Sequence, residues 1–298
     1  MLGTFSDNVV HQSDHAILKF YNDSCYKLIM MKSCRLPGFE PLIADTKGKR
    51  NSAGNCCKLD ASLSRTRSKV YELALCNKWE YFITLTLSPE NGDRQNLKQF
   101  KRSLSKWLNN LNFRNGWSIK YMLIPEPHKD GSWHMHGLLT GVPDHMLVPF
   151  SAADHLPYSL LGRIKRGEQI FNWPAYAEKF GYVTCDRIRD PEACAKYITK
   201  YITKELGERN AKLNEKLYLC SHGLKRAKTV LRGRLVETFT PDFSNEYVAI
   251  KTFRTYEEAA ALFGDAGNIF GPASYVGFLD VVQPIIGGEK NWTFCPQV

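Results

Sequence analysis

Two short stretches of this chain hold side chains able to do covalent chemistry on a phosphate. Lys196-Tyr197-Ile198-Thr199-Lys200-Tyr201-Ile202-Thr203-Lys204 is a doubled Tyr-x-x-Lys. On a helix, Tyr197 and Tyr201, four residues apart, share one face. Trp133-His134-Met135-His136-Gly137-Leu138-Leu139 is His-x-His followed by an apolar run. On a strand, His134 and His136 share a face because side chains alternate with period two. Imidazoles on a sheet can hold a divalent cation, and phenols on a helix can attack phosphorus.

A phenol with an ordinary pKa of ~10 is a poor nucleophile at neutral pH. Lys200 and Lys204, each three residues after a tyrosine, would favour the phenolate and neutralise the phosphate under attack. Projected at ~100° per residue, Tyr197, Tyr201, Lys200 and Lys204 fall in one arc of roughly 100°. Ala195, Ile198, Ile202 and Leu206 occupy a neighbouring arc that can pack on a sheet. Alone, a tyrosine pair at this spacing equally fits core packing. The His-x-His upstream gives it a chemical reading.

The histidines gain a third partner from a hairpin. Lys120 to His128 reads as one arm and Ser132 to Leu139 as the other, with Lys129-Asp130-Gly131 as a three-residue loop. Such loops place Gly last, in the left-handed conformation. This register sets His128 beside Ser132 and Glu126 opposite His134, on the histidine face. A two-residue Asp130-Gly131 loop would pair Glu126 with Met135, on the other face. His134, His136 and Glu126 then offer two nitrogens and a carboxylate, suited to Mn²⁺ or Mg²⁺ and compatible with zinc. His128 falls on the same face one step further out.

These segments need elements to hold them. Ser62 to Asn77 has a helical apolar pattern. Trp79 to Leu87 reads as a strand rich in aromatic and β-branched residues. Gln95 to Asn112 is an amphipathic helix with Leu97, Phe100, Leu104, Trp107, Leu108 and Leu111 at helical spacing. Its outer face carries Lys98, Lys101, Arg102 and Lys106, with no acid between Arg94 and Lys120. That face is either solvated or in contact with a DNA backbone. Tyr182 to Ile188 is a further strand. Asp190-Pro191-Glu192 opens the tyrosine helix, with proline in the first turn, and the helix is expected to run to about Glu205 with Gly207 as its C-cap. Lys225, Arg226, Lys228, Arg232 and Arg234 form a second basic run, equally readable as a solvated loop or a DNA contact. Tyr81 and Trp133 are candidates to stack bases, set against core packing. Residues 1 to about 60 read as an irregular extension with turn signals at Pro37-Gly38 and Asn51 to Asn55.

Composition sets the outer bounds. The 298 residues are 43% hydrophobic and 12% aromatic, enough for a packed core. A net charge of +10 favours a polyanionic partner. No apolar stretch approaches the ~18 residues of a membrane span, so no membrane partner is expected. Nine cysteines, an odd number without Cys-x-x-Cys spacing, and no export signal indicate free thiols in a reducing cytoplasm. No Gly-rich Lys-Ser/Thr phosphate loop occurs, so no fused helicase is expected.

Taken together, the motifs resemble the HUH endonuclease superfamily, specifically the rolling-circle replication initiators of small phages and plasmids. Phe82 to Leu87 resembles the first motif strand, His134-Met135-His136 the metal motif, and the Tyr197/Tyr201 helix the two-tyrosine nucleophile motif. Ser221-His222-Gly223-Leu224 adds to the likeness, which covers about 62 to 230. The resemblance implies an α+β fold, a central five-stranded antiparallel sheet (HUH/ferredoxin-like) flanked by helices, with N- and C-terminal extensions. The corresponding division is 1–60, 61–235 and 236–298. It implies nicking of single-stranded DNA at a replication origin, giving a 5′-phosphotyrosine and a free 3′-OH. It further implies a host helicase and polymerase as partners, Glu126 as a third metal ligand, and the cytoplasm of a bacterial host as the location. The alternatives are an HUH transposase or relaxase, a non-enzymatic basic nucleic-acid-binding module, and a metal-dependent phosphoesterase that uses water.

Overall fold

The structure is a computed structural model and describes residues 9–35, 55–203, 216–244 and 248–264. It is α+β, with two antiparallel sheets, and its chain contacts form two compact units. One unit joins 1–72 to 226–298 and the other is the continuous segment 73–225.

The continuous segment holds a seven-stranded sheet. Numbered along the whole chain, its strands are β3 (Tyr81–Thr86), β4 (Lys120–Pro127), β5 (Trp133–Thr140), β6 (Val148–Pro149), β7 (Ile170–Asn172), β8 (Val183–Arg187) and β9 (Leu219–Cys220). They lie in the order β6-β7-β8-β3-β5-β4-β9, wider than the five strands expected. The two outermost strands are only two residues long, too short to leave a repeating apolar pattern in the sequence.

β3 shows how the sheet is built. In Tyr-Phe-Ile-Thr-Leu-Thr the odd-numbered side chains are buried and the even-numbered ones are partly exposed. Burying Tyr81, Ile83 and Leu85 contributes about 1.5–3 kcal/mol per side chain of this size. The partly exposed face presents Phe82, Thr84 and Thr86. Helix α2 (Leu97–Asn115) covers the other face with Leu97, Phe100, Leu104 and Leu108, and Ser105 Oγ lies 3.0 Å from the Tyr121 hydroxyl. α2 is fixed at both ends. The Asn96 side chain accepts from Gln99 N–H, and Gly116 closes the helix in the left-handed conformation. Helix α3 (Tyr158–Lys165) lies between β6 and β7 in the chain and buries Leu160. Trp107 of α2 packs on Trp173, Tyr176 and Phe180 around α4 (Pro174–Lys179).

The β4–β5 hairpin forms in the three-residue register. His128 N–H donates to Ser132 O at 2.8 Å, Gly131 has φ 84°, and Glu126 opposes His134. Asp130 fastens the loop by accepting from Ser132 N–H at 2.9 Å and Ser132 Oγ at 2.6 Å. Directly after His136, Gly137 sits where the strands touch. A β-carbon there would lie 2.3 Å from the Met122 carbonyl oxygen, so only glycine fits.

The other unit corrects the expectation of an irregular N-terminal extension. β1 (Val9–Asn22) and β2 (Cys25–Arg35) form a hairpin within a five-stranded sheet, order β10-β1-β2-β12-β11. Its remaining strands are β10 (Lys228–Arg234), β11 (Phe243–Ser244) and β12 (Val248–Phe253). Both faces of this sheet are buried. Ala16, Leu18 and Leu28 pack with Ala259 of helix α6 (Tyr256–Ala260), while Ile17, Ile29, Met31 and Val248 form a second cluster. A strand buried on both faces reads as a continuous apolar run, as at Leu28 to Met31, and lacks the alternation that marks a half-exposed strand. Helix α1 (Asn55–Cys76) begins seven residues before the expected Ser62 and crosses from one unit into the other at Glu72 and Leu73. Among the described residues, no helix is long and apolar enough to cross a membrane.

Gly137→Ala is expected to destabilise the protein by about 1–3 kcal/mol, the usual cost of forcing atoms into a filled space. A denaturant melt measures it, and wild-type stability in the variant would show that β4 and β5 are not pressed together at this point.

Candidate active site

The half-exposed face of the sheet gathers the sequence-predicted residues. Glu126 of β4, His134 and His136 of β5, and Thr84 and Thr86 of β3 share it, because β5 pairs in register with both neighbours. Thr86 opposes His134 and Thr84 opposes His136. Each hydroxyl reaches the Nδ1 of its histidine, at 3.0 Å for His134 and 3.1 Å for His136. Both Nδ1 atoms are thus engaged, so a metal would have to be met by Nε2. The threonines have no place in the sequence reading, although Thr-x-Thr at the same parity as His-x-His was a usable signal.

His136 Nε2 lies 2.7 Å from Glu126 Oε2, and the hydrogen bond from His136 holds the Glu126 carboxyl below its ordinary range. Burial pushes the His134 imidazole down to about 4, helped by the neighbouring His128. The His128 and His134 rings stack 3.9 Å apart. His134 is therefore neutral at pH 7, the form that binds metals. Two imidazoles and a carboxylate fit a divalent cation chemically. Among the described residues, however, no three His, Cys, Asp or Glu side chains already converge as a cage. Binding requires the direct Glu126–His136 contact to open.

The tyrosines stand on the same face. Helix α5 (Pro191–Ile198) starts at Asp190, whose side chain accepts from Glu192 and Ala193 N–H at 2.9 Å each. It ends earlier than the sequence indicates. Thr199 Oγ1 donates back to Lys196 O at 2.7 Å, and Thr199–Tyr201 tightens into a 3-10 turn. Lys204 and the expected cap Gly207 lie outside the described residues. Ala195, Ile198 and Ile202 are buried, as the helical projection predicts.

Tyr201 is buried too, at 7% exposure, so it belongs to the packed stripe as well as to the phenol pair. Its ring stacks on His136 at 4.1 Å and 13°. Burial, then the contact with Tyr197, raises its pKa, opposite to the lowering expected from nearby lysines. Tyr197 is half-buried, edge-on to Tyr201 at 5.9 Å, and its oxygen is a long 3.4 Å from the Tyr201 hydroxyl. Lys200 Nζ stands over the Tyr197 ring at 3.6 Å and the Tyr201 ring at 4.8 Å, a cation–π position over both faces. Phe82 packs on His136, Tyr197 and Tyr201 and keeps these groups together.

The remaining candidates are elsewhere. Lys98, Lys101, Arg102 and Lys106 lie on α2, across the sheet from the histidines. Lys225 is exposed, its backbone bonded to the Asn77 side chain, while Arg226 and Lys228 belong to the other unit. Tyr81 and Trp133 are core residues at 1% and 7% exposure, not stacking platforms. An aromatic pair the sequence reading passes over is Tyr182 and Phe150, which stack at 6.2 Å. Thr86 N–H donates to Tyr182 O, which extends the row Glu126, His134, Thr86 across the sheet to Tyr182.

In metal-free protein, His134 contributes stability at and above its ordinary pKa of ~6.5, lost as pH falls toward about 4. The unfolded chain takes up a proton in that window and the folded chain does not. The melting temperature in EDTA is expected to drop between those two pH values, and to drop less in His134→Gln. Equal drops in both proteins would show that His134 is not held neutral by its surroundings.

The segment 80–206, under half of the chain, matches a family model of replication-associated proteins, the ORF2 type. It begins one residue before β3 and runs past Tyr201, so it takes in every site residue named on β3, β4, β5 and α5. No curated protein and no solved structure matches the chain. The family match supports a replication initiator.

Proposed function

We propose that this protein nicks and rejoins single-stranded DNA at a replication origin, as a two-tyrosine initiator of the HUH type that starts rolling-circle replication. The observation that carries the reading is the stack of Tyr201 on His136, itself in contact with Glu126, on one open sheet face beside Tyr197.

His134, His136 and Glu126 would hold a Mg²⁺ or Mn²⁺ ion, which when bound polarises a phosphoryl oxygen. Thr84 and Thr86 fix the ring orientation of the two histidines, the usual task of groups behind metal ligands. Tyr197 is the first nucleophile, because its ring is half-exposed whereas burial keeps the Tyr201 hydroxyl protonated. Its oxygen bonds to phosphorus as the phenol proton leaves. The bond from phosphorus to the 3′ oxygen breaks, and that oxygen takes up a proton. The products are a 5′-phosphotyrosine and a 3′-OH from which a polymerase can extend. The phosphodiester energy is kept in the protein linkage, so rejoining needs no nucleotide. Lys200, above both rings, supplies positive charge near the incoming strand. Tyr201 can act in the second transfer once its ring leaves His136.

Labelled origin-type single strands with Mn²⁺ are expected to give a covalent adduct on a denaturing gel, abolished by EDTA and by the Tyr197→Phe/Tyr201→Phe double variant. Tyr197→Phe alone should lose the first adduct, whereas Tyr201→Phe should keep it and lose strand transfer. An unchanged adduct yield in the double variant would falsify the assignment. Thr86→Val should weaken metal affinity or activity roughly 10–100-fold while leaving the fold intact. Wild-type metal titration in that variant would remove Thr86 from the site.

A further inference from the structure

The outer side of α2 bears a groove of about 630 Å³, lined in part by Lys98, Lys101, Arg102, Lys106, Asn109 and Asn110. These positions recur at steps of three and four, so they form one helical stripe, and at 1.5 Å per residue the stripe is ~18 Å long. No acid occurs from Arg94 to Lys120. Among the described residues, every charged group lining the groove is a cation.

Its place in the fold separates it from the tyrosine site. Ser105 of the same stripe meets Tyr121, which is five residues from Glu126 on an unbroken strand and so points to the opposite face. Leu219, at the other wall, opposes Leu123, which shares Tyr121's parity. The groove thus opens on the sheet face away from His134, His136 and both tyrosines. Lys101 Nζ donates to the Lys216 carbonyl at 3.3 Å, tying the helix to the segment that leads into β9. With both ends capped and one flank buried in the core, α2 holds its cations in a fixed row.

We propose that this groove binds the phosphate backbone of duplex DNA, independently of sequence, as a second nucleic-acid site across the sheet from the nicking centre. Sites that track single strands pair a basic groove with aromatic platforms on which bases stack. Among the described residues, no aromatic side chain lines this groove. Its groups are instead lysine, arginine and asparagine, the side chains that grip phosphate oxygens. At ~3.4 Å per nucleotide along one strand, an ~18 Å row spans about five base pairs. A protein that works on an exposed single strand at an origin is thereby also anchored to the double-stranded flank. The inference rests on a DNA-acting protein, but binding can be read without any nicking.

Fluorescence anisotropy with a labelled duplex of about 20 base pairs and unrelated sequence, in EDTA, tests it between 50 and 200 mM KCl. Four neutralised phosphates give a slope of log K against log salt of about 3 to 4 in magnitude. The variant Lys98→Gln/Lys101→Gln/Arg102→Gln/Lys106→Gln should lose most of that slope and bind the duplex weakly. The paired variants Lys98→Gln/Arg102→Gln and Lys101→Gln/Lys106→Gln should each lose about half, which keeps the test intact if the fourfold variant folds poorly. Lys98→Arg/Lys101→Arg/Lys106→Arg should keep duplex binding. Wild-type affinity and slope in the paired glutamine variants would overturn the proposal. So would a loss confined to single strands, or equal competition by a polyglutamate of the same charge. Loss of adduct formation with duplex binding intact would count against the nickase and leave the groove standing.

Discussion

Slip β5 by one residue against β3, and His134 and His136 turn into the core while Met135 faces Thr84 or Thr86. The whole site rests on that pairing, because side-chain direction in a sheet has period two and no local adjustment restores it. Several independent features hold the register. Gly131 takes the left-handed position of a three-residue loop, Asp130 binds Ser132 on the far side, and Gly137 lets β4 and β5 approach where any larger residue would push them apart. The threonine–histidine bonds then turn a correct register into fixed imidazole directions. Stability and chemistry meet in the same few residues.

The tyrosine pair shows a compromise between packing and reactivity. Tyr201 supplies buried ring area against His136 and Phe82, and that same burial keeps its hydroxyl protonated. Tyr197, one helical turn earlier, keeps part of its surface open and takes Lys200 on its ring face. Four-residue spacing places both phenols on one side of the helix, yet the 3-10 turn at Thr199–Tyr201 gives them unlike surroundings. Two chemically identical groups become inequivalent through environment alone.

Much of the site was legible in the sequence because it depends on short-range rules. Loop length fixed the hairpin register, parity fixed the histidine face, and Asp190-Pro191 marked the start of the tyrosine helix. What escaped depends on contacts distant along the chain. Thr84 and Thr86 acquire meaning only when β3 pairs with a strand about fifty residues away, as the Thr84–His136 separation of 52 residues records. The early end of α5 turns on a single hydroxyl bonding backward, which periodicity does not register. Tyr81 and Trp133 carry the residue types of a stacking platform, and only burial assigns them to the core. The terminal sheet left no alternating pattern because it is covered on both faces.

β1 and β2 emerge from the ribosome first, yet β10 and β12, which flank them, follow some two hundred residues later, as the pairing of His15 with Arg234 records. Until then the hairpin displays two unpaired edges, the kind of surface that recruits other chains. The segment 73–225 has all its own sheet partners within itself and can fold while translation continues. The site-bearing unit therefore matures ahead of the unit that encloses it in the sequence. Truncation near the C-terminus would leave the first strands of the protein, at the opposite end of the gene, without their neighbours.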